Sequence, residues 1–218
     1  SITGDLKLLD EHFSASNIRL LFAEGVITGS AEIDASSSKQ LLLTVKAQGG
    51  SLNISEMFRQ FDNFGQETVT DKNLQGILTT TVELAAIDER NFRIDTDKLA
   101  CTGDLTLEQG ELKQLTAMRD ISEFLVSDPK VRLVLGSDAE DVASRLDHIR
   151  FSTLSNRIEI RNNKITIPRM EVASSALNIQ LFGSHTFNNE IDYHLNFRFL
   201  ELKSDKSQTE YGFIEDDG

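Results

Sequence analysis

Along 156–200 the chain alternates between apolar and polar residues. Ile158 and Ile160 are separated by Arg157, Glu159 and Arg161. Asn162-Asn163 interrupts the run, and Ile165, Ile167, Met170 and Val172 resume it around Pro168. After Ser174-Ser175 come Leu177, Ile179 and Leu181, spaced by Asn178 and Gln180. A last run has Ile191, Tyr193, Leu195, Phe197 and Phe199 between Asp192, His194, Asn196 and Arg198. A period of two puts each kind of residue on one face of a strand. The Asn and Ser breaks are turn chemistry. The pattern predicts four or five antiparallel strands with one apolar and one hydrated face.

The remainder reads the same way, with interruptions. In 1–50, Ile2, Leu6 and Leu8, then Phe13, Ile18, Leu20 and Phe22, then Ile27, Ala31 and Ile33, then Leu41, Leu43 and Val45 predict strands. Glu24-Gly25, Ser36–Ser38 and Gly49-Gly50 are the breaks between them. At 53–63 the period changes: Ile54, Met57, Phe58 and Phe61 predict one helix face, with Asn53 and Glu56 as a capping box and Phe64-Gly65 as the stop. Leu74, Ile77, Val82 and Leu84 predict a long strand, Phe92 and Ile94 another, and Leu99, Cys101, Leu105 and Leu107 a third that closes at Gly110. Met118, Ile121, Phe124 and Leu125 predict a helix over 116–127, stopped before Asp128-Pro129. Val131, Leu133 and Leu135 predict a short strand. Ser137 and Glu140 cap a predicted helix over 138–147, with Val142 and Leu146 inward. The expected fold is mainly β: a long curved antiparallel sheet forming a trough or partial barrel, with two or three short amphipathic helices packed on it. Residues 1–200 are expected to be one β-rich domain, and 201–218 a polar, acidic, mobile tail.

Glycines recur inside these strands. Thr3-Gly4-Asp5-Leu6-Lys7-Leu8 echoes Thr102-Gly103-Asp104-Leu105-Thr106-Leu107, and Gly29, Gly76 and Gly183 sit in related settings. Glycine within a strand marks a bend, bulge or close approach. Repeated at one level, it would curve the sheet into a trough; the plainer alternative is glycines in ordinary β turns.

Charge narrows the function. The 22 Lys and Arg against 35 Asp and Glu leave −13, which disfavours nucleic acid and anionic lipid head groups but not acyl chains. One cysteine, Cys101, permits no internal disulfide and reads as a small core residue. The chain opens and closes in mid-pattern, as a piece of a longer protein. No apolar run reaches the roughly 18–20 residues of a membrane helix.

No catalytic constellation emerges. His12, His148, His185 and His194 lack partners at metal-ligand spacing, and His194 belongs to a hydrated face. Phosphate-binding, dinucleotide and nucleophile-elbow motifs are absent. Asp95-Thr96-Asp97 lacks the remainder of a calcium loop. Neither an enzymatic activity nor a cofactor or metal is expected.

Several segments resemble the C-terminal region of AsmA-like proteins. These are 58–66 with Leu74-Gln75-Gly76 and Leu84-Ala85-Ala86, then 105–112, Phe151-Ser152-Thr153-Leu154, 165–172, 174–179 and 183–193. The resemblance spans most of 54–218, and its last two segments are the most specific. It implies a periplasmic protein of Gram-negative envelope biogenesis, tethered to the inner membrane by a helix outside this chain. It also implies a β groove that passes phospholipid toward the outer membrane, with no catalytic residues. The expected partners are phospholipid acyl chains, held by Ile158, Ile160, Ile165, Ile167, Leu177, Ile179, Leu181, Tyr193, Leu195 and Phe197. The alternative is a β-sandwich scaffold or protein-interaction module of the cell envelope. Pattern alone favours that alternative; the resemblance favours the groove.

Overall fold

The computed structural model describes residues 1–65, 67, 69–89, 95–176, 178–188 and 190–196. Ten strands form one antiparallel sheet in chain order: β1 (Ile2–Leu9), β2 (His12–Phe22), β3 (Gly25–Asp34), β4 (Leu41–Asn53), β5 (Leu74–Asp88), β6 (Ala100–Lys113), β7 (His148–Arg161), β8 (Lys164–Val172), β9 (Ile179–Thr186) and β10 (Ile191–Asn196). β1 and β10 are the free edges among the described residues, whose strands form an open meander and neither a sandwich nor a closed barrel. The tight turns follow turn chemistry: Asn162-Asn163 joins β7 to β8 and Ala23-Glu24 joins β2 to β3, with positive φ at all four residues.

Among the described residues, two connections carry α-helices. α1 (Ile54–Gln60) follows β4, and α2 (Thr116–Ser127), α3 (Pro129–Leu135) and α4 (Asp138–Leu146) lie between β6 and β7. The Asn53 side chain accepts the Glu56 N–H at the start of α1, which is half of the predicted box; the Glu56 carboxylate turns to Arg59 instead. The helix also stops at Gln60, short of the predicted 63, so Phe61 lies beyond it. Residues 116–127 and 138–146 are helical as the periodicity predicts, with Val142 and Leu146 buried, although Ser137 makes no side-chain cap. The strand predicted at Val131–Leu135 is a helix. Asp128 accepts the N–H groups of Lys130 and Val131, Pro129 occupies the first turn, and Gly136 closes the helix at φ 62°. Val131 and Leu135, four apart, share the inward face.

Other corrections come from bulges. Gly49-Gly50 does not end β4, which bulges at Ser51 and continues to Asn53. β5 alternates without interruption through Leu74, Gly76 and Leu78, which leaves Ile77 outward, and the bulge opposite it lies in β6 at Gln109. Gly110 lies within β6 and carries the Phe151 ring. Phe92 and Ile94, and the tail from 197 onward, lie outside the described residues.

Gly4, Gly29, Gly103 and Gly183 stand at one level of the sheet. The paired residues run Ile18–Gly29–Ala47–Val82–Gly103–Ile158, with Gly4 against Ile18, and resume across β8–β10 as Ile167–Gly183–Tyr193. Gly76 does not belong to this level. At Gly29 the neighbouring strand comes so close that an added Cβ would stand 2.2 Å from the Lys46 carbonyl oxygen, whereas at Gly50 it would meet nothing within 4 Å. Gly29→Ala is therefore expected to destabilise by about 1–3 kcal/mol, and Gly50→Ala to be close to neutral. Urea unfolding of the two variants checks the contrast.

Candidate functional site

One cross-strand row is continuous through all ten strands: Leu6–Ala15–Ala31–Val45–Leu84–Cys101–Ile160–Ile165–His185–Ile191. Every member except His185 is apolar. The glycine level lies beside it. On the opposite face the corresponding row is polar throughout: Ser30–Lys46–Glu83–Thr102–Glu159–Thr166–Ser184–Asp192. The chain alternation is thus converted, strand by strand, into one continuous apolar surface.

The described helices cover only one end of that surface. α1 packs over Leu52, Leu78, Leu107 and Phe151, joined by Ile54. α2–α4 enclose a second core of Leu115, Met118, Leu125, Leu135, Ala139, Val142, Leu146, Ile149 and Ala176. Away from this end the apolar row is half-buried and carries no second layer among the described residues. From Ala31 through Ile165 each member is neither sealed nor fully exposed, while β1 at the edge leaves Leu6 73% exposed. A cleft of about 670 Å³ crosses β2–β5 on the opposite, polar face, between the rows Arg19–Thr28–Gln48–Thr81 and Ser30–Lys46–Glu83. Ile18, Gly29, Ala47 and Val82 stand between these polar residues along their strands, so the cleft is no part of the apolar surface.

The sheet also has a local split. β7 and β8 pair only at Glu159–Thr166, Ile160–Ile165 and Arg161–Lys164. Beyond these, Pro168 has no N–H to give the ladder. The Asn156 amide bridges the gap, donating to the Pro168 carbonyl (3.4 Å) and to Met170 Sδ (3.0 Å).

The predicted lining residues Ile158, Ile160, Ile165, Ile167, Ile179 and Leu181 all lie on the apolar face and are partly buried. Ile160 pairs with Ile165, and Leu181 with Met170. Tyr193, opposite Gly183, is 38% exposed near the free edge, and partial burial raises its phenol pKa. Leu195 pairs with Leu181 through the backbone; its side chain lies outside the described residues, as do Leu177 and Phe197 altogether. The predicted lining omits the N-terminal half of the face, where Ala15, Ala31 and Val45 continue the same row. The signal was present: Phe13–Val45 alternates as 156–200 does, and the glycine echo joins the two halves. Cys101 sits in the middle of the row, half-buried instead of sealed in a core, with its thiol pKa raised by burial. His194 is exposed as expected, but stacks on Phe182 at 4.7 Å between ring centres, with Arg169 on the same ring at 5.1 Å.

Among the described residues no cluster of three or more His, Cys, Asp or Glu could hold a metal, and no helix is long and apolar enough to cross a membrane. The chain matches no family model, no curated protein and no solved structure.

Charge concentrates where the helical cap joins the sheet. Glu111 is ion-paired with Lys113, with His148 at 3.2 Å and with Arg150 at 3.5 Å. Lys113 chiefly, then His148, hold its carboxyl below the ordinary range against partial burial. A lowered folded pKa stabilises the protein above the unfolded value of about 4.3, and that stability is lost as pH falls through the folded value. Glu111→Gln is expected to lower the thermal midpoint at pH 7, and the gap from the parent chain to shrink as pH drops below about 4. Melts over pH 3–8 check both parts.

Proposed function

We propose that this sheet is a non-catalytic carrier of phospholipid acyl chains, a segment of an AsmA-like protein of the Gram-negative envelope. The observation that carries the reading is the apolar row crossing ten strands with the described helices over one end only. Each large apolar side chain left in water forgoes about 1.5–3 kcal/mol of burial, so a surface of this length favours an apolar occupant. An acyl chain is a good fit: it is long, needs no hydrogen bonds, and can lie along a row whose hydrogen-bonding groups are already used in the ladder. Phosphate head groups would project toward solvent, clear of the apolar row. The segments resembling AsmA-like proteins support the same reading, and imply a periplasmic setting on a parent tethered to the inner membrane.

A sandwich scaffold would seal its apolar face with a second sheet, and the described strands all belong to one. The protein purified from an envelope-containing host is expected to release phospholipid on organic extraction, read by mass spectrometry. Ile160→Asp puts a carboxylate at the centre of the row and should cut the lipid load by more than half while the chain stays folded. An unchanged load in folded Ile160→Asp, or no lipid in the parent chain, would overturn the proposal.

A further inference from the structure

Where the trough meets α1, the backbone adopts an uncommon conformation. Asp62, Asn63 and Phe64 follow one another at φ 50°, 52° and 55°, although none is glycine. Left-handed backbone is disfavoured for L-residues and is most unusual for a bulky aromatic. Local bonds hold it: the Phe64 N–H donates to the Phe61 carbonyl (2.9 Å), and the Asp71 N–H donates to the Asn63 side-chain oxygen (2.8 Å). The outcome of this turn is the placement of two rings. Phe61 and Phe64 stack at 5.1 Å between ring centres and remain 52% and 55% exposed. A strained turn that leaves aromatic rings in water does not serve burial, and such conformations gather at functional positions.

The two rings are joined to the apolar face. Phe61 lies 5.5 Å from Phe22 at the end of β2, and Phe64 meets Phe58 of α1 edge-on at 5.2 Å. Phe22 and Phe58 both pack on the core at the covered end of the sheet, beside Ile27. A greasy path therefore leads from solvent-facing rings to the floor of β2 and β3. Ile2 of the edge strand, 70% exposed, pairs with Leu20 beside it.

We propose that Phe61 and Phe64 are the entry point at which a phospholipid acyl chain leaves a bilayer and slides onto the trough. This rests on the acyl-chain reading above and adds where loading begins. Stacked rings with low side-chain entropy give a departing chain its first apolar contact, and the turn holds them half exposed with Phe64 resting edge-on against Phe58 of α1. The requirement falls on the rate of loading, not on capacity, because the trough beyond the rings is unaltered.

The test is uptake of a fluorescent-acyl phospholipid from phosphatidylcholine vesicles, following both the initial rate and the final load. Phe61→Ser/Phe64→Ser should slow uptake about tenfold and leave the final load unchanged. Phe64→Gly removes one ring while easing the backbone, so its slower uptake would arise from the lost ring and not from strain. Leu133→Ser, on α3 and away from the path, should load like the parent chain. Folding of each variant is checked by circular dichroism. Equal rates in Phe64→Gly and the parent would overturn the proposal. A proportional loss of rate and final load would do so too, since the rings would then be part of the store. Failure of the parent to load at all would overturn the acyl-chain reading and this proposal together. If the double variant instead turned a dimer into a monomer, with uptake unchanged, the rings would belong to a contact between copies and the entry point would be wrong.

Discussion

Cross-strand register is the constraint on which this molecule depends. Side chains alternate with period two, so a slip of one residue in any strand would move its whole apolar set to the wet face. The row from Leu6 to Ile191 holds its register through nine successive pairings. The bulges gather to one side of it. Asn17 in β2, Ser51 in β4 and Gln109 in β6 all take positive φ, between the row and the covered end. Each adds twist and shifts which residues face inward. Above them the sheet is a regular apolar floor; below them Leu52, Leu78, Leu107 and Phe151 converge under α1. The open and closed parts of the molecule are thus separated by a line of irregular residues.

Closing one end and leaving the other open has energetic consequences. The helical end is an ordinary core, with Leu125, Val142 and Leu146 fully buried. It anchors a sheet whose remaining apolar face gains less from folding, because that face keeps contact with solvent. Polar contacts on the far side add little: Arg157 grips Asp104 with two hydrogen bonds of 2.8 Å, but both side chains are more than half exposed, where such pairs are weak. Stability therefore comes mainly from the ladder and the capped end, and the open floor remains available for something else.

Much of this architecture was legible in the chain. Strict alternation marked the strands, the Asn162-Asn163 and Ser174-Ser175 breaks marked their ends, and Met118–Leu125 marked α2. The local errors share one cause, which is competition between short-range signals of similar strength. Val131, Leu133 and Leu135 fit a period of two, but the Asp128 cap with Pro129 behind it decides for a helix. Gly49-Gly50 has the composition of a turn, yet the strand on either side holds it in the ladder. The site was half legible. Ile158, Ile160, Ile165 and Ile167 lie where their pattern put them, but nothing local to them shows that Ala15, Ala31 and Val45 continue their row across the sheet. Strand order is a long-range property, and it alone brings those halves into one row.

Cys101, the single thiol of the chain, stands in the middle of that row and reports on it directly. The decisive measurement is the rate at which a small maleimide labels Cys101 in delipidated protein, before and after phospholipid is added. An open floor that holds acyl chains predicts measurable labelling, slowed by burial, that falls strongly when lipid is present. Labelling that is undetectable in the folded delipidated protein, or that proceeds at the same rate with and without lipid, would contradict the account.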